Sequence, residues 1–377
     1  MIITHIDILS FWYNKGMKVA LVHDDLVQWG GAERMLVAIS DIFPGAPIYT
    51  SVFDNNNEIL KQQFMGKKII TSFIQKIPKW KSMYRMLLPF YAAAFEGFDF
   101  SGYDVVISQT TRFAKAVITK PNTLHICYVH TPPRFLWDFS GGKIKGVPQI
   151  FFNYQRILDA IVSSRVDIWV AGSKNAQKRL QKIYHINSQV IYPFVDTERF
   201  SSIDPFNGGY LLVVSRLNNY KRVDLIIQAA NELKIPLKIV GIGPQEKKLK
   251  KLAKSNVYFL GSVNEELLTL LISGCKALII AAEEDFGLMP LEAQILSKPV
   301  VAFKKGGVTE TVIEGETGVF FECQNVESLT RALVKLDKEG YNGKRCRDQA
   351  RLFSKGRFVK DFSTLVYSAM KNMENVN

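Results

Sequence analysis

A chain of 377 residues with 48 Lys and Arg against 35 Asp and Glu, formal net charge +13, has room for two hydrophobic cores and favours anionic partners. Its 47% hydrophobic and 22% charged residues are those of an ordinary globular protein, and no apolar run approaches the roughly 18–20 residues of a membrane span. The scattered cysteines Cys127, Cys275, Cys323 and Cys346 show no Cys-x-x-Cys spacing, which argues against a disulfide framework or a zinc site and fits a reducing cytoplasm.

Residues 1–16 have no clear period and lack the basic start and small-residue cleavage site of a signal peptide. Met17 is expected to be the true start, or residues 1–16 a loose extension. Strands are predicted at 18–23, 47–53, 104–108, 125–129 and 167–171, alternating with helical patterns at 32–42, 58–64, 83–96, 148–164 and 174–183. That alternation implies a parallel sheet covered by helices. Pro193 interrupts the apolar run from Ile191, and the 204–209 stretch reads as a loop, so a boundary falls near residue 192. A second series follows, with strands at 210–215, 237–241, 257–260, 277–281, 299–303 and 318–321. Its helices are expected at 222–233, 244–254, 264–273, 289–296, 308–313 and 326–338. Apolar residues at 358, 359, 362, 365, 366, 369 and 370 make 356–373 an amphipathic helix. The pattern is two doubly wound α/β domains, whose ligands bind at the carboxyl ends of the strands.

Several strand ends carry chemistry. Asp24-Asp25-Leu26-Val27-Gln28-Trp29-Gly30-Gly31-Ala32-Glu33 puts Gly30 and Gly31 at a helix start. Backbone N–H groups there can meet an anion, or the turn simply needs glycine. It is not the Gly-x-Gly-x-x-Gly of a dinucleotide site, which argues against an NAD enzyme. His130, in Tyr128-Val129-His130-Thr131-Pro132-Pro133-Arg134, ends a strand; it is either a hydrogen-bonded core histidine or a group facing the crevice. Arg216 and Lys221 flank a short turn before a helix. Two cations and helix N–H groups suit a diphosphate, although a +13 chain also collects cations on its loops. Gly241-Ile242-Gly243-Pro244 and Gly261-Ser262-Val263 read as turns. The apolar run 277–282 then leads into Glu283-Glu284-Asp285-Phe286-Gly287-Leu288-Met289-Pro290-Leu291-Glu292, a strand, a tight loop and a helix start. Pro290 suits a first helical turn, Gly287 permits close approach of a ligand, and the helix N–H groups attract phosphate. Glu292, placed in the first turn, either binds a diol such as ribose or complements the helix dipole. Glu284 is either a ligand or a solvated loop residue.

The string 284–293 followed by Ser297-Lys298-Pro299-Val300-Val301-Ala302 closely resembles the signature of the large GT-4 family of retaining glycosyltransferases, which have the GT-B fold. His-x-Pro-Pro-Arg followed by Phe135-Leu136-Trp137-Asp138 resembles a bacterial branch rich in O-antigen and exopolysaccharide mannosyltransferases. The resemblance runs from about residue 17 to the final helix. It departs at Gln294-Ile295-Leu296-Ser297, where the family usually has small residues ending in glycine; only helix packing is expected to change. The resemblance implies two Rossmann-like domains facing a central cleft. One, 1–192 plus the C-terminal helix 356–377, binds the acceptor; the other, 193–355, binds the nucleotide sugar. It makes Arg216, Lys221, Glu284 and His130 the catalytic set. Gly30, Gly31, Gly243, Val263, Phe286, Gly287, Leu288 and Glu292 become donor-binding. Arg216 and Lys221 would hold the diphosphate, Glu284 sugar hydroxyls, Glu292 the ribose and His130 the sugar. No cofactor or metal is implied.

The expected function is transfer of a hexose, with mannose from GDP-mannose first and a UDP-sugar as alternative, to a saccharide or lipid-linked saccharide in bacterial surface polysaccharide synthesis. A non-catalytic partner of the same fold and a GT-B epimerase are rival readings. Lys76 to Leu88 interleaves Lys76, Lys79, Lys81 and Arg85 with Trp80, Met83 and Leu. This basic amphipathic stretch is either a contact for an anionic bilayer, with Trp80 and Met83 as anchors, or a solvated helix face. A cytoplasmic protein, peripheral on the membrane and with no nucleic-acid module, is the expectation.

Overall fold

The computed structural model describes residues 16–83, 86–137, 149–200 and 203–374. The expectations for residues 1–15, for Arg85 and for Asp138 lie outside them. The apolar runs become two all-parallel sheets. The first orders its strands β3-β2-β1-β4-β5-β6-β7, with β1 Val19–His23, β2 Ile48–Thr50, β3 Ile69–Thr71, β4 Val105–Thr110, β5 Leu124–Val129, β6 Ile168–Ala171 and β7 Gln189–Val190. The second orders its strands β10-β9-β8-β11-β12-β13, with β8 Tyr210–Val214, β9 Leu237–Val240, β10 Val257–Gly261, β11 Cys275–Ile280, β12 Val300–Phe303 and β13 Gly318–Phe321. Central strands such as β1, β4 and β5 are buried at every residue. This is why they read as largely apolar runs rather than alternating ones.

The chain divides into two compact units, Met1–Tyr192 with Gly356–Asn377, and Pro193–Lys355. The final helix, Lys355–Glu374, closes the first unit: Phe358 and Phe362 stack on each other and stand edge-on to Tyr128 at 6.1 and 6.3 Å. In the second unit, Val223–Leu233 and Val326–Glu339 bury Ile226, Ile227, Leu329 and Leu333 in one core with β8, β9 and β11. Strand order reverses between β1 and β4 in the first unit and between β8 and β11 in the second. Those are the switch points where a doubly wound sheet opens a crevice at its carboxyl edge.

The structure corrects several elements. β3 and β7 are edge strands of three and two residues, too short to show a period. The helix expected over 83–96 is broken. A turn of helix at Trp80–Met83, a 3-10 turn at Leu88–Phe90 and a helix at Tyr91–Glu96 replace it. Pro89 supplies no N–H, so it cannot bond back to the preceding turn as a continuous helix requires. Trp80 is 9% exposed within the core that holds Tyr91, Phe95 and Phe100, and Met83 packs against the same core. Trp80 is thereby turned away from any bilayer, and Met83 remains partly exposed. An unexpected helix, Gly343–Arg351, starts at Asn342, whose side chain accepts from the Arg345 N–H. Among the described residues, no helix is long and apolar enough to cross a membrane.

Candidate active site

In the second unit the loops after β8 and β11 meet. A 3-10 turn, Asn219–Lys221, follows β8 and ends at Arg222, whose φ of 51° is unusual for a residue with a side chain. Arg222 is held by a two-pronged contact with Asp224, each bond 3.2 Å. This turn brings Lys221 Nζ to 2.6 Å from Glu284 Oε1, with the two side chains 15% and 21% exposed. The Tyr220 ring lies 5.2 Å from the same ammonium. Arg216 is exposed on the first loop. Its neighbours are fixed from below: Leu217 N–H donates to the Ile242 carbonyl, and Gln245 N–H donates to the Leu217 carbonyl. A Cβ at Gly241 would lie 1.9 Å from the Ser215 oxygen, and one at Gly243 2.7 Å from Leu217 backbone. The structure thus places Gly243 as a support for the Arg216 loop.

The Glu284 loop has a similar support. Gly307 N–H donates to the Glu284 carbonyl at 2.8 Å, and Glu284 bridges Gly306 in parallel fashion. Cβ atoms at Gly306 and Gly307 would stand 2.3 Å from the Glu284 oxygen and 2.2 Å from the Asp285 oxygen. Only bare backbone fits under this loop. Phe286 is buried against Phe353, ring centroids 5.5 Å apart, so its ring belongs to the core and its backbone is what the loop offers. Gly287, at φ 91°, caps the helix Leu288–Ile295. Glu292 is corrected here. It is the fifth residue of that helix rather than part of its first turn, and is 6% exposed. At that depth the attraction to the helix dipole has largely faded. Val263 lies half-exposed between β10 and the helix Glu265–Gly274. No contact joins it to Lys221 or Glu284 among those described.

The first unit carries a buried polar network at its own switch point, most of which the sequence reading missed. His23 ends β1 in register with Gln109 of β4, which is in register with Tyr128 of β5. Asp24 accepts bonds from the Thr110 and Thr111 hydroxyls and from the N–H groups of Thr111, Phe113 and Ala114. Burial works to raise its pKa. The Arg112 and His23 charges and the Thr111 and Ala114 N–H groups outweigh burial and hold the carboxyl below its ordinary value. Burial opposes charging of His23, but Glu33 at 3.9 Å and the charges of Asp24 and Asp25 raise its pKa above the ordinary value. Arg112 contacts Asp25 directly. Gly30 caps the helix Gly31–Ile42, which Gly31 begins, and a Cβ on Gly30 would come within 3.2 Å of Glu33. His130 is half-buried just past β5, its N–H donating to the Thr110 carbonyl. Its ring meets Gln109 at 2.7 Å. The available signal was Ser108-Gln109-Thr110, three polar residues ending an otherwise apolar strand. Among the described residues, no three His, Cys, Asp or Glu gather to hold a metal ion.

Comparison with known proteins places the chain in a family. Residues 29–199 match the model of Glycosyltransferase Family 4, and residues 194–353 that of Glycosyl transferases group 1. An alpha-1,3/1,6-mannosyltransferase of Candida glabrata is 23% identical over 439 residues, covering 96% of this chain and 95% of that one. The O-antigen chain mannosyltransferase C of Escherichia coli is 25% identical over 228 residues, covering 56% of this chain and 60% of that one. For several matched relatives, that enzyme included, this chain spans 55–60% of the relative's length. HepE of Anabaena, solved with UDP-glucose, superposes with a TM-score of 0.67 at 17% identity, covering 93% of this chain and 100% of that one. With two family models spanning residues 29–353 and a doubly wound fold in each unit, the chain belongs to the GT-B glycosyltransferases of the family-4 group.

Proposed function

We propose that the protein transfers a hexosyl residue, mannose from GDP-mannose first, from a nucleotide-diphosphate sugar to a saccharide acceptor with retention of configuration. The observation that carries this reading is the 2.6 Å contact between Lys221 and Glu284 at the adjacent ends of β8 and β11. A diphosphate competes for the ammonium, and a released carboxylate is then available to sugar hydroxyls. As the sugar–phosphate C–O bond breaks, positive charge grows on the sugar and negative charge on the phosphate. Lys221, Arg216 and the first-turn N–H groups of the helix Leu288–Ile295 are suited to receive the latter. The departing phosphate oxygen takes the acceptor proton, so no separate general base or metal is needed. Glu292 is assigned to the ribose. His130 is assigned to the donor sugar, Gly30 and Gly31 to its diphosphate and the acceptor.

The mannosyltransferase relatives support mannose, and UDP-glucose in HepE favours the second reading, a UDP-sugar donor. The net charge of +13 supports an acceptor presented at an anionic surface, a lipid-linked saccharide of bacterial surface polysaccharide synthesis. The test is a panel of nucleotide sugars with and without saccharide acceptors, in excess chelator. Nucleoside diphosphate released only when an acceptor is present, with the anomeric configuration of the donor kept, is the expected outcome. Failure of every donor would favour the non-catalytic reading, and activity that disappears in chelator and returns with magnesium would overturn the metal-free mechanism.

A further inference from the structure

Gln109 is 1% exposed near the end of β4, and its side chain touches two elements of the first unit. Its Nε2 lies 2.8 Å from the Ala32 carbonyl and 2.7 Å from His130 Nε2. A carbonyl can only accept, so one amide hydrogen is committed to Ala32. The other then points at the imidazole, and His130 Nε2 must accept it with its lone pair. The ring proton therefore sits on Nδ1. Turning the amide over would press two carbonyl oxygens together at 2.8 Å. Gln109 Oε1 is buried without a hydrogen-bond partner. An apolar residue would fill this place at less cost, so the two N–H bonds are what the side chain provides.

Both partners belong to the proposed site. Ala32 follows Gly30 and Gly31 directly, in the first turn of the helix Gly31–Ile42. His130 is steadied on another side by the Tyr128 ring, edge-on at 5.2 Å, and Tyr128 is itself pinned by its hydroxyl donating to the Ile191 carbonyl. We infer that Gln109 is a positioning residue: it couples the Gly30–Gly31 helix start to His130 and fixes the imidazole in its Nδ1–H tautomer. This rests on the assignment of His130 to the donor sugar.

The experiment is nitrogen-15 NMR of the intact protein labelled at its five histidines, with His130 assigned from a His130→Ala sample. At neutral pH the wild-type ring should show the Nδ1–H tautomer; the Nε2–H form or an imidazolium overturns the inference. In Gln109→Glu the isosteric carboxylate needs a proton on Nε2, so the tautomer should invert. kcat should fall at least tenfold, while the Kd for GDP or UDP stays within twofold. Gln109→Met removes both bonds at similar volume and should lower kcat and leave the ring as a mixture of tautomers. An unchanged tautomer in Gln109→Glu, or an inverted one with unchanged kcat, overturns the coupling. Should either variant fail to fold, the wild-type tautomer still decides. If His130→Ala turns over normally, the donor-sugar assignment fails, an outcome separate from the NMR result.

Discussion

The two switch points solve one problem in opposite ways. In the first unit, charged and polar groups at the sheet edge are buried and bonded to one another: Asp24 by five donors, His23 beside Glu33, Gln109 between Ala32 and His130. In the second, Lys221 and Glu284 stay partly exposed, and the packing lies in glycine backbone beneath them. A buried network gives one fixed shape, because each lost bond leaves an unsatisfied group in low dielectric. A partly exposed ion pair costs less to break than a fully buried one and can exchange its partner for a ligand. The first arrangement suits holding a ring in place; the second suits receiving and releasing charge.

Breaking the second arrangement should give the largest change. Lys221→Ala removes the cation proposed to meet the leaving phosphate. The expected loss is about 2–4 kcal/mol of transition-state stabilisation, roughly 10^1.5- to 10^3-fold in kcat. Thermal unfolding should barely move, since the remaining Glu284 is within reach of water. Turnover near wild type in a pure, folded sample would remove Lys221 from the mechanism.

The first arrangement should respond the other way, in stability before rate. Asp24→Asn sets an amide against donors and should cost about 3 kcal/mol. Its pH dependence carries a sign. The Asp24 pKa is lowered in the folded state, so its contribution is present above the ordinary carboxyl value and disappears as pH falls through the folded value. The His23 pKa is raised, so its contribution is complete below the ordinary value of 6.5 and is lost as pH rises through the folded value. Denaturant titrations should show acid destabilisation that Asp24→Asn flattens and alkaline destabilisation that Glu33→Gln flattens. A wild-type stability that does not change with pH would show that the network contributes little.

Gly306→Ala should fall between these. Its added Cβ meets the Glu284 oxygen in a left-handed turn, so the loop must shift, at about 1–3 kcal/mol of overpacking. Rate should fall with stability, because the displaced backbone is that of Glu284; a stable variant with normal turnover would show that the loop tolerates movement. What the sequence made legible follows the same division. The longer strands and the strings around Lys221 and Glu284 were readable because apolar runs and loop motifs are local. Gln109, Asp24 and the seat under Glu284 were not. Each depends on register between strands or on contact across tens of residues, as with Gly306 under Glu284. Glu292 was misplaced because the helix starts at Leu288, one residue before the expected start, which carries Glu292 past the first turn.

The smallest effect concerns the outer surface of the first unit. Trp80 belongs to the core, so Trp80→Ala would test folding rather than membrane contact. Lys76, Lys79 and Lys81 remain on the surface, and the exposed side chain of Phe73 lies close to them in sequence. Lys81 is bonded to Asp54 at 2.6 Å, so part of its charge is already answered. With about 1 kcal/mol for each cation near an anionic bilayer, reduced by salt and by pairing, the three lysines together carry an expected 1–2 kcal/mol. Changing all three to Gln should therefore weaken binding to anionic vesicles about tenfold. Unfolding should shift by less than about 1 kcal/mol, the scale of a surface pair, and turnover of a soluble acceptor should be unchanged. Phe73→Ser should weaken vesicle binding further if the segment lies at the bilayer. Vesicle binding that ignores both the lysines and the salt concentration would make this a solvated face and leave the excess charge to the nucleotide.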